Sequence, residues 1–236
     1  MKTTFPIATI ALLVQALFAA DSSPQSQVAS ATKALANKPN YSWTMTTREG
    51  DGSPGRLGPI EGKADKTGLV YLTFSISGVP VEVYLNGPKG AGKALEGWQT
   101  LDDIAETSGT AAAVVRYLRS YKAPAAESAT LSESAKALKE DEGIVAGELK
   151  PEVAKELLER GARRREGQEA PKIENARGTI RFWIQDGVLA KYEVKVRGKI
   201  TAGDRETEVN RTTTVEIKDP GTTKLAEPAE AKAKMS

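Results

Sequence analysis

Two blocks of alternating residues flank a helical middle, and this order constrains the fold more than any other feature of the chain. A period of two is typical of strands with one buried face. It occurs over residues 41–47, 60–64, 69–77, 79–86 and 95–99 before the middle, and over residues 179–185, 189–200 and 206–218 after it. The connections between strands are short, and Asp186-Gly187 is a strong hairpin signal. We therefore expect an antiparallel sheet.

Helical spacing marks four segments. Residues 28–37 form the first, and Thr100 with Asp103 suggests a capping box that opens a second helix, which Pro124 is expected to end. Residues 131–141 and 151–161 are predicted as further helices. The order of elements predicts an α+β protein whose helices pack on one face of the sheet.

The N-terminus is expected to be a signal peptide over residues 1–20. Lys2 precedes an apolar run over residues 5–18, and Ala19 and Ala20 are small enough for cleavage. The sequence thus predicts an exported protein, periplasmic or secreted, that is soluble once cleaved. We expect a linker at residues 21–27, one domain over residues 28–228, and a flexible tail at residues 229–236.

The composition excludes several chemistries. The chain has no Cys and no His, so it lacks disulfides, imidazole-bound zinc and a Ser-His-Asp triad. Lys and Arg number 33 against 31 acidic residues, which argues against a nucleic-acid partner. The sequence predicts no catalytic residue, no metal and no cofactor.

Two local patterns imitate functional motifs. Residues 87–93 fit the first seven positions of a phosphate-binding loop, but Ala94 replaces the Mg²⁺-binding hydroxyl and no helical pattern follows. We predict a flexible hairpin loop there and no nucleotide. Asp102 and Asp103 precede a helix, so capping explains this carboxylate pair better than catalysis. A basic run at residues 163–165 is explained as a solvated helix end.

The order of elements resembles the periplasmic lipoprotein-carrier superfamily, which includes LolA-like carriers and lipid-binding lipoproteins of the LppX type. The stretch 178–189, in which a strand ends at Asp186-Gly187, is similar to the late hairpin of that group, and Gly221 and Pro228 fit its closing segment. The resemblance implies a curved sheet, or half-barrel, with helices as a lid and acyl chains between them.

The resemblance also implies a set of inward-facing residues that line the cavity. They are Trp43, Met45, Leu72, Phe74, Val81, Val83, Val115, Leu118, Ile184 and Val194. The carriers hold the lid with an arginine of an early strand. Arg48 is the only nearby candidate, and its context does not match that role.

Three functions follow as hypotheses. The first is a non-enzymatic protein that binds a lipid, an acyl chain or another hydrophobic ligand. The second is a structural module that meets a protein partner in the envelope through Trp183 or through residues 191–197. Trp183 supports this alternative because its neighbour Phe182 must point to the opposite face of the strand. Both faces are therefore apolar, and the face that the helices do not bury must be buried by a partner or by an N-terminal segment. The third is a carboxylate enzyme acting on sugars, for which the sequence offers no paired residues.

Overall fold

The computed structural model describes residues 23–55, 58–76, 78–94, 97–161 and 170–236. The helices in these ranges are α1 (Pro24–Ala36), α2 (Leu101–Thr107), α3 (Gly109–Arg119), α4 (Pro124–Glu133), α5 (Pro151–Gly161) and α6 (Ala229–Lys234). The strands are β1 (Asn40–Glu49), β2 (Ile60–Asp65), β3 (Leu69–Ile76), β4 (Val79–Asn86), β5 (Lys89–Ala94), β6 (Gly97–Thr100), β7 (Ala135–Asp141), β8 (Ile144–Leu149), β9 (Lys172–Gln185), β10 (Val188–Ala202) and β11 (Arg205–Lys218).

These strands form one antiparallel sheet, in the order β6-β5-β4-β3-β2-β1-β11-β10-β9-β8-β7. Strands β1 and β11 lie at its middle, where Trp43 pairs with Ile217. This pairing joins the block before the helices to the block after them. Within the described residues the two edge strands do not pair with each other, so the sheet stays open. The predicted α+β fold with a curved antiparallel sheet is confirmed.

The sheet curves around one main core. Apolar residues near both edges, such as Leu72 on β3 and Phe182 on β9, belong to a single buried cluster. Helices contribute Leu35 from α1, Leu118 from α3 and Leu158 from α5 to the same cluster. This shared core, to which α2 adds Leu101 and α4 adds Leu131, places five helices, α1 to α5, on the concave face.

A smaller buried cluster lies on the opposite face. Its strand residue Tyr84 alternates with core residues of β4, so it points away from the concave face. Ala231 and Met235 pack there and are buried, and the hydroxyl of Tyr84 donates to the carbonyl oxygen of Ala226 at 2.7 Å. Residues 229–236, expected to be a flexible tail, thus include the packed helix α6.

The predicted capping box is present at the start of α2. The hydroxyl of Thr100 accepts from the backbone N–H of Asp103 at 3.1 Å, and the Asp103 carboxylate accepts from the N–H of Thr100 at 3.3 Å. The helix that follows is divided, because Ser108 ends α2 and caps α3 by accepting from the N–H of Ala111 at 3.1 Å.

The predicted late hairpin is confirmed. Asp186 and Gly187 have φ angles of +50° and +71°, and the strands on either side pair from Gln185 and Val188 outward. Positive φ at both central residues gives the turn a twist that matches the twist of the strands.

The prediction of a helix over residues 131–141 is wrong. Helix α4 ends at Glu133, and the rest is strand β7, which pairs with β8 across a turn at Glu142 and Gly143. Both turn residues have positive φ angles, of +49° and +77°. Ladder hydrogen bonds to β8 outweigh the helix propensity of the alanine, lysine and glutamate residues here.

The flexible loop expected at residues 87–93 is also wrong, because most of it is strand β5. Its glycines allow α2 to approach the sheet. A Cβ on Gly90 would lie 2.7 Å from Cδ1 of Leu101, and one on Gly92 would lie 2.6 Å from Cδ1 of Ile104. The spacing that imitates a phosphate-binding loop therefore serves helix packing.

Candidate ligand-binding cleft

A cleft of about 700 Å³ lies between helices α1 and α4 and one end of the concave face. Its volume falls within the range of about 300–1,000 Å³ that small-molecule sites occupy. Seven of its 21 lining residues are alanine, and three of these, Ala125, Ala126 and Ala129, belong to α4. The short side chains of the two helices explain why space remains between them and the sheet.

The floor of the cleft consists of the ends of strands β1 to β4. Tyr41, Ala64, Val70 and Leu85 line it, and all four are buried members of the main core. They lie at the end of the sheet that carries the turn at residues 65–68. The alternation seen in the sequence therefore gives the cleft an apolar floor.

The walls have their polar groups already bonded. The hydroxyl of Thr32 donates to the carbonyl oxygen of Ala29 at 3.0 Å, and that of Ser132 donates to the carbonyl oxygen of Ala129 at 2.9 Å. The Nε2 of Gln25 donates to the carbonyl oxygen of Ser132 at 3.0 Å and ties α1 to α4. The hydroxyl bonds leave a mainly apolar inner surface, and the Gln25 bond holds the two helices together.

Proline begins both wall helices. Pro24 and Pro124 stand in the first turn, where a missing N–H costs nothing. The side chain of Ser23 caps α1 by accepting from the N–H of Ser26 at 3.2 Å. The sequence prediction started α1 later, at residue 28, and treated Pro124 as the end of a helix, so it missed α4 as a wall.

An aromatic wall separates the cleft from the middle of the core. The indole N–H of Trp43 donates to the Tyr121 hydroxyl at 3.1 Å, and the ring of Tyr41 lies 5.5 Å from that of Trp43. The Tyr41 hydroxyl accepts from the N–H of Ala125 at 3.3 Å. Burial raises the pKa of Tyr41 to about 12 and the pKa of Tyr121 well above its usual value. Both hydroxyls are therefore neutral at ordinary pH.

A polar cluster beyond this wall joins α4 and α5 to the sheet. The Glu127 carboxylate accepts from the Tyr192 hydroxyl at 2.6 Å and lies 4.0 Å from Arg160. Arg211, on β11, donates to the carbonyl oxygen of Leu157 at 2.6 Å. Burial raises the pKa of Glu127, although the Tyr192 hydrogen bond and the charge of Arg160 oppose the shift. These contacts anchor the helices over the middle of the concave face.

The ten residues predicted to line a cavity lie in the main core, and none of them lines this cleft. Seven are buried and three are half-buried. The buried ones are Trp43, Leu72, Phe74, Val83, Val115, Leu118 and Val194, and the half-buried ones are Met45, Val81 and Ile184. That any of them binds a ligand stays a prediction.

Sequence reasoning missed the residues that do line the cleft. The sequence prediction put the lining at large apolar side chains in mid-strand, whereas the space arises beside small ones. The sequence signal for the cleft was the four alanines within residues 123–129, together with Ala29 and Ala36, which lie two helical turns apart in α1.

The arginine considered for the lid bonds within its own hairpin. Arg48 donates to the carbonyl oxygen of Gly52 at 3.3 Å. Arg211 is the strand arginine that reaches a helix. The basic run at 163–165 and the signal peptide at 1–20 lie outside the described residues.

The carboxylate pair and Trp183 have structural partners. Asp103 caps α2, and Asp102 forms an ion pair with Arg119. Trp183 is half-buried, and the Nζ of Lys191 lies 4.8 Å from the centre of its ring. The side chain of Lys191 therefore provides cover that was expected from another segment or a partner.

Among the described residues there is neither a candidate metal site nor a helix that could cross a membrane. No group of three or more acidic, His or Cys side chains in these ranges has a geometry that could hold a metal. Of the helices in these ranges, none has the length and apolar character needed to cross a membrane.

Neither a family model nor a curated protein matches the sequence. Among solved structures, the chain is similar to the Mycobacterium tuberculosis lipoprotein LppX, at 12% identity and a TM-score of 0.46, over 88% of this chain and 100% of that one. It is also similar to LprF from Mycobacterium bovis, at 11% identity and a TM-score of 0.45, over 88% and 97% of the two chains. The first is of the type that the sequence order resembles.

Proposed function

We propose that this protein is a non-enzymatic, extracytoplasmic protein that binds a lipid or another hydrophobic ligand between its curved sheet and its helices. One observation carries the proposal: a space of about 700 Å³ with an apolar floor and alanine walls. The space is a cleft open to solvent, and sites for small molecules are concave and mostly apolar. A space of this size under two helices therefore suits a guest molecule.

The chemistry of the walls favours an apolar guest. The hydroxyls of Thr32 and Ser132 donate to carbonyl oxygens of their own helices, so their protons are not available to a polar ligand beside these walls. An acyl chain would gain about 0.8 kcal/mol for each CH₂ that it buries. No covalent step is needed, which suits a chain without Cys or His.

The extracytoplasmic location rests on the pattern of residues 1–20. N-terminal sequencing of the protein recovered from outside the cytoplasm tests it. We expect the mature chain to begin after Ala19 or Ala20. A chain recovered from the cytoplasm with Met1 in place would contradict export and would leave binding in the cleft open to its own test.

Calorimetric titration with 1-oleoylglycerol tests binding, because this lipid has one chain and no charge. We expect wild-type protein to bind it. Ala129→Leu should weaken binding by about tenfold, since the larger side chain displaces roughly two CH₂ groups of the ligand. Ala113→Leu is the matched control, because Ala113 is exposed on α3 and does not line the cleft.

A second measurement covers ligands that copurify. Organic extraction of the purified protein followed by lipid mass spectrometry should recover a lipid in a stoichiometric amount. The proposal is overturned if extraction yields no lipid and the titration gives no heat. It is also overturned if Ala129→Leu and Ala113→Leu bind 1-oleoylglycerol equally well, because the cleft would then not be the site.

A further inference from the structure

Three lysines from separate segments line the cleft. Lys33 lies in the last turn of α1, Lys66 lies in the turn between β2 and β3, and Lys122 lies two residues before α4. All three are exposed. Within the described residues, no carboxylate oxygen lies within 4.0 Å of these ammonium groups. The Nζ of Lys122 donates to the Thr130 hydroxyl at 3.3 Å.

The three lysines outnumber the carboxylates that line the cleft. Of the acidic residues that the structure describes, Asp65 and Glu133 line it, so one net positive charge remains. The Asp65 carboxylate accepts from the N–H of Thr67 at 2.8 Å, from the hydroxyl of Thr67 at 2.5 Å and from the N–H of Leu69 at 3.3 Å. It is therefore committed to its own turn. Glu133 is exposed at the far end of α4.

The exposed lysines adjoin an apolar interior. The cleft passes from the exposed lysines to buried residues such as Val70 and Leu85. This gradient matches a molecule with a charged head and an apolar chain. Lysine suits such a cleft, because its ammonium group is a compact charge on a flexible stem that can follow a headgroup.

We infer that the ligand is an acyl-chain lipid with an anionic headgroup, either a carboxylate or a phosphate. Its head contacts Lys33, Lys66 and Lys122, and its chain lies over the alanines of α4. This inference rests on the proposed function and adds the charge and orientation of the ligand to it. Each lysine alone is an ordinary surface residue, but three of them from separate segments line one cleft with an apolar floor.

Calorimetric titrations with lipids that share one oleoyl chain test the inference. The ligands are oleate, 1-oleoyl-lysophosphatidate and the neutral 1-oleoylglycerol. At low salt we expect one or both anions to bind about tenfold more tightly than 1-oleoylglycerol, and the preference to shrink with added salt. The anion that binds more tightly identifies the headgroup as carboxylate or phosphate.

A triple variant, Lys33→Gln with Lys66→Gln and Lys122→Gln, should lose the preference for anions and keep the wild-type affinity for 1-oleoylglycerol. The control combines Lys139→Gln, Lys155→Gln and Lys195→Gln, which are exposed positions away from the cleft. It should keep the preference, although the net charge of the two variants is the same.

The outcomes separate the inference from the proposed function. Equal affinity of the wild type for all three lipids overturns the anionic headgroup and supports a hydrophobic site. Loss of the preference in both triple variants also overturns it, because general charge would then explain the binding. If none of the three lipids binds, the proposed function fails and the inference fails with it.

Discussion

Helices α5 and α4 both cover the concave face of the sheet, but a cleft opens beside α4 and none of its lining residues belongs to α5. Under α5, strands β9 and β10 carry glycines at the contact. A Cβ on Gly198 would lie 2.7 Å from Cδ1 of Leu158, and one on Gly178 would lie 3.4 Å from Cβ of Ala154. Under α4 and α1, the strands carry side chains and the helices carry alanines, and about 700 Å³ stays open.

The comparison shows that small residues act differently in the two layers. A glycine in the sheet lets a helix approach until side chain and backbone are in contact. An alanine in a helix leaves a gap when other contacts hold that helix away from the sheet. At α4 the N–H of Ala125 donates to the hydroxyl at the end of the Tyr41 side chain of β1, and Gln25 ties α1 to α4 at Ser132. We call the region under α5 the filled end and the region under α1 and α4 the cleft end.

The largest effect is expected at the aromatic wall between the cleft end and the core. Trp43→Ala should lower the free energy of unfolding by about 3–5 kcal/mol, because it removes a fully buried ring and leaves a cavity. Urea denaturation measures the loss. Trp183→Ala is the control and should cost clearly less, because Trp183 is half-buried. Equal losses would contradict the assignment of Trp43 to the wall.

The next effect tests the filled end. Ala154 has no exposed surface and faces Gly178. Ala154→Leu should lower the free energy of unfolding by about 1–3 kcal/mol, because a packed site cannot take three more carbons without strain. Urea denaturation again provides the measurement. An unchanged midpoint and slope would mean that α5 does not fill its end of the sheet.

A pH effect is expected from Glu127. Burial raises its pKa, so the folded state binds the proton more tightly than the unfolded state does. Its contribution is complete below the unfolded value of 4.5 and is lost as the pH rises through the folded pKa. Glu127→Gln should therefore gain stability relative to the wild type between about pH 4 and pH 7.

Urea denaturation of both proteins at the two pH values measures this difference. The control is Glu133→Gln, which removes a charge from an exposed position on the same helix. If the stability of Glu127→Gln falls relative to the wild type as the pH rises, the ion pair with Arg160 outweighs burial. The direction assigned to Glu127 would then be wrong.

Much of the sheet could be predicted because its signals are local. Alternation on β1, β3, β9 and β10 and the turn at Asp186-Gly187 depend only on neighbouring residues. Strand β7 could not be predicted in the same way. Its alanine, lysine and glutamate residues favour a helix, and only pairing with β8 makes it a strand.

The candidate site was harder to predict than the fold. A cleft forms where the side chains of neighbouring elements do not meet, and no sequence pattern gives the distance between those elements. The mid-strand residues chosen from the sequence, such as Phe74 and Val83, are buried in the core as their alternation requires. The alternation identifies the face on which they lie. Whether helices fill that face depends on anchors far apart in the chain, such as Gln25 and Ser132.

The smallest effect completes the comparison. Ala129→Leu makes the same substitution as Ala154→Leu, and both positions are in helices, so the change in helix propensity is equal. At the cleft end the new side chain enters open space, and the free energy of unfolding should change by less than about 0.5 kcal/mol. The same variant should weaken the binding of 1-oleoylglycerol. A loss of stability as large as that of Ala154→Leu would show that the cleft end is packed, and the distinction between the two ends would then disappear.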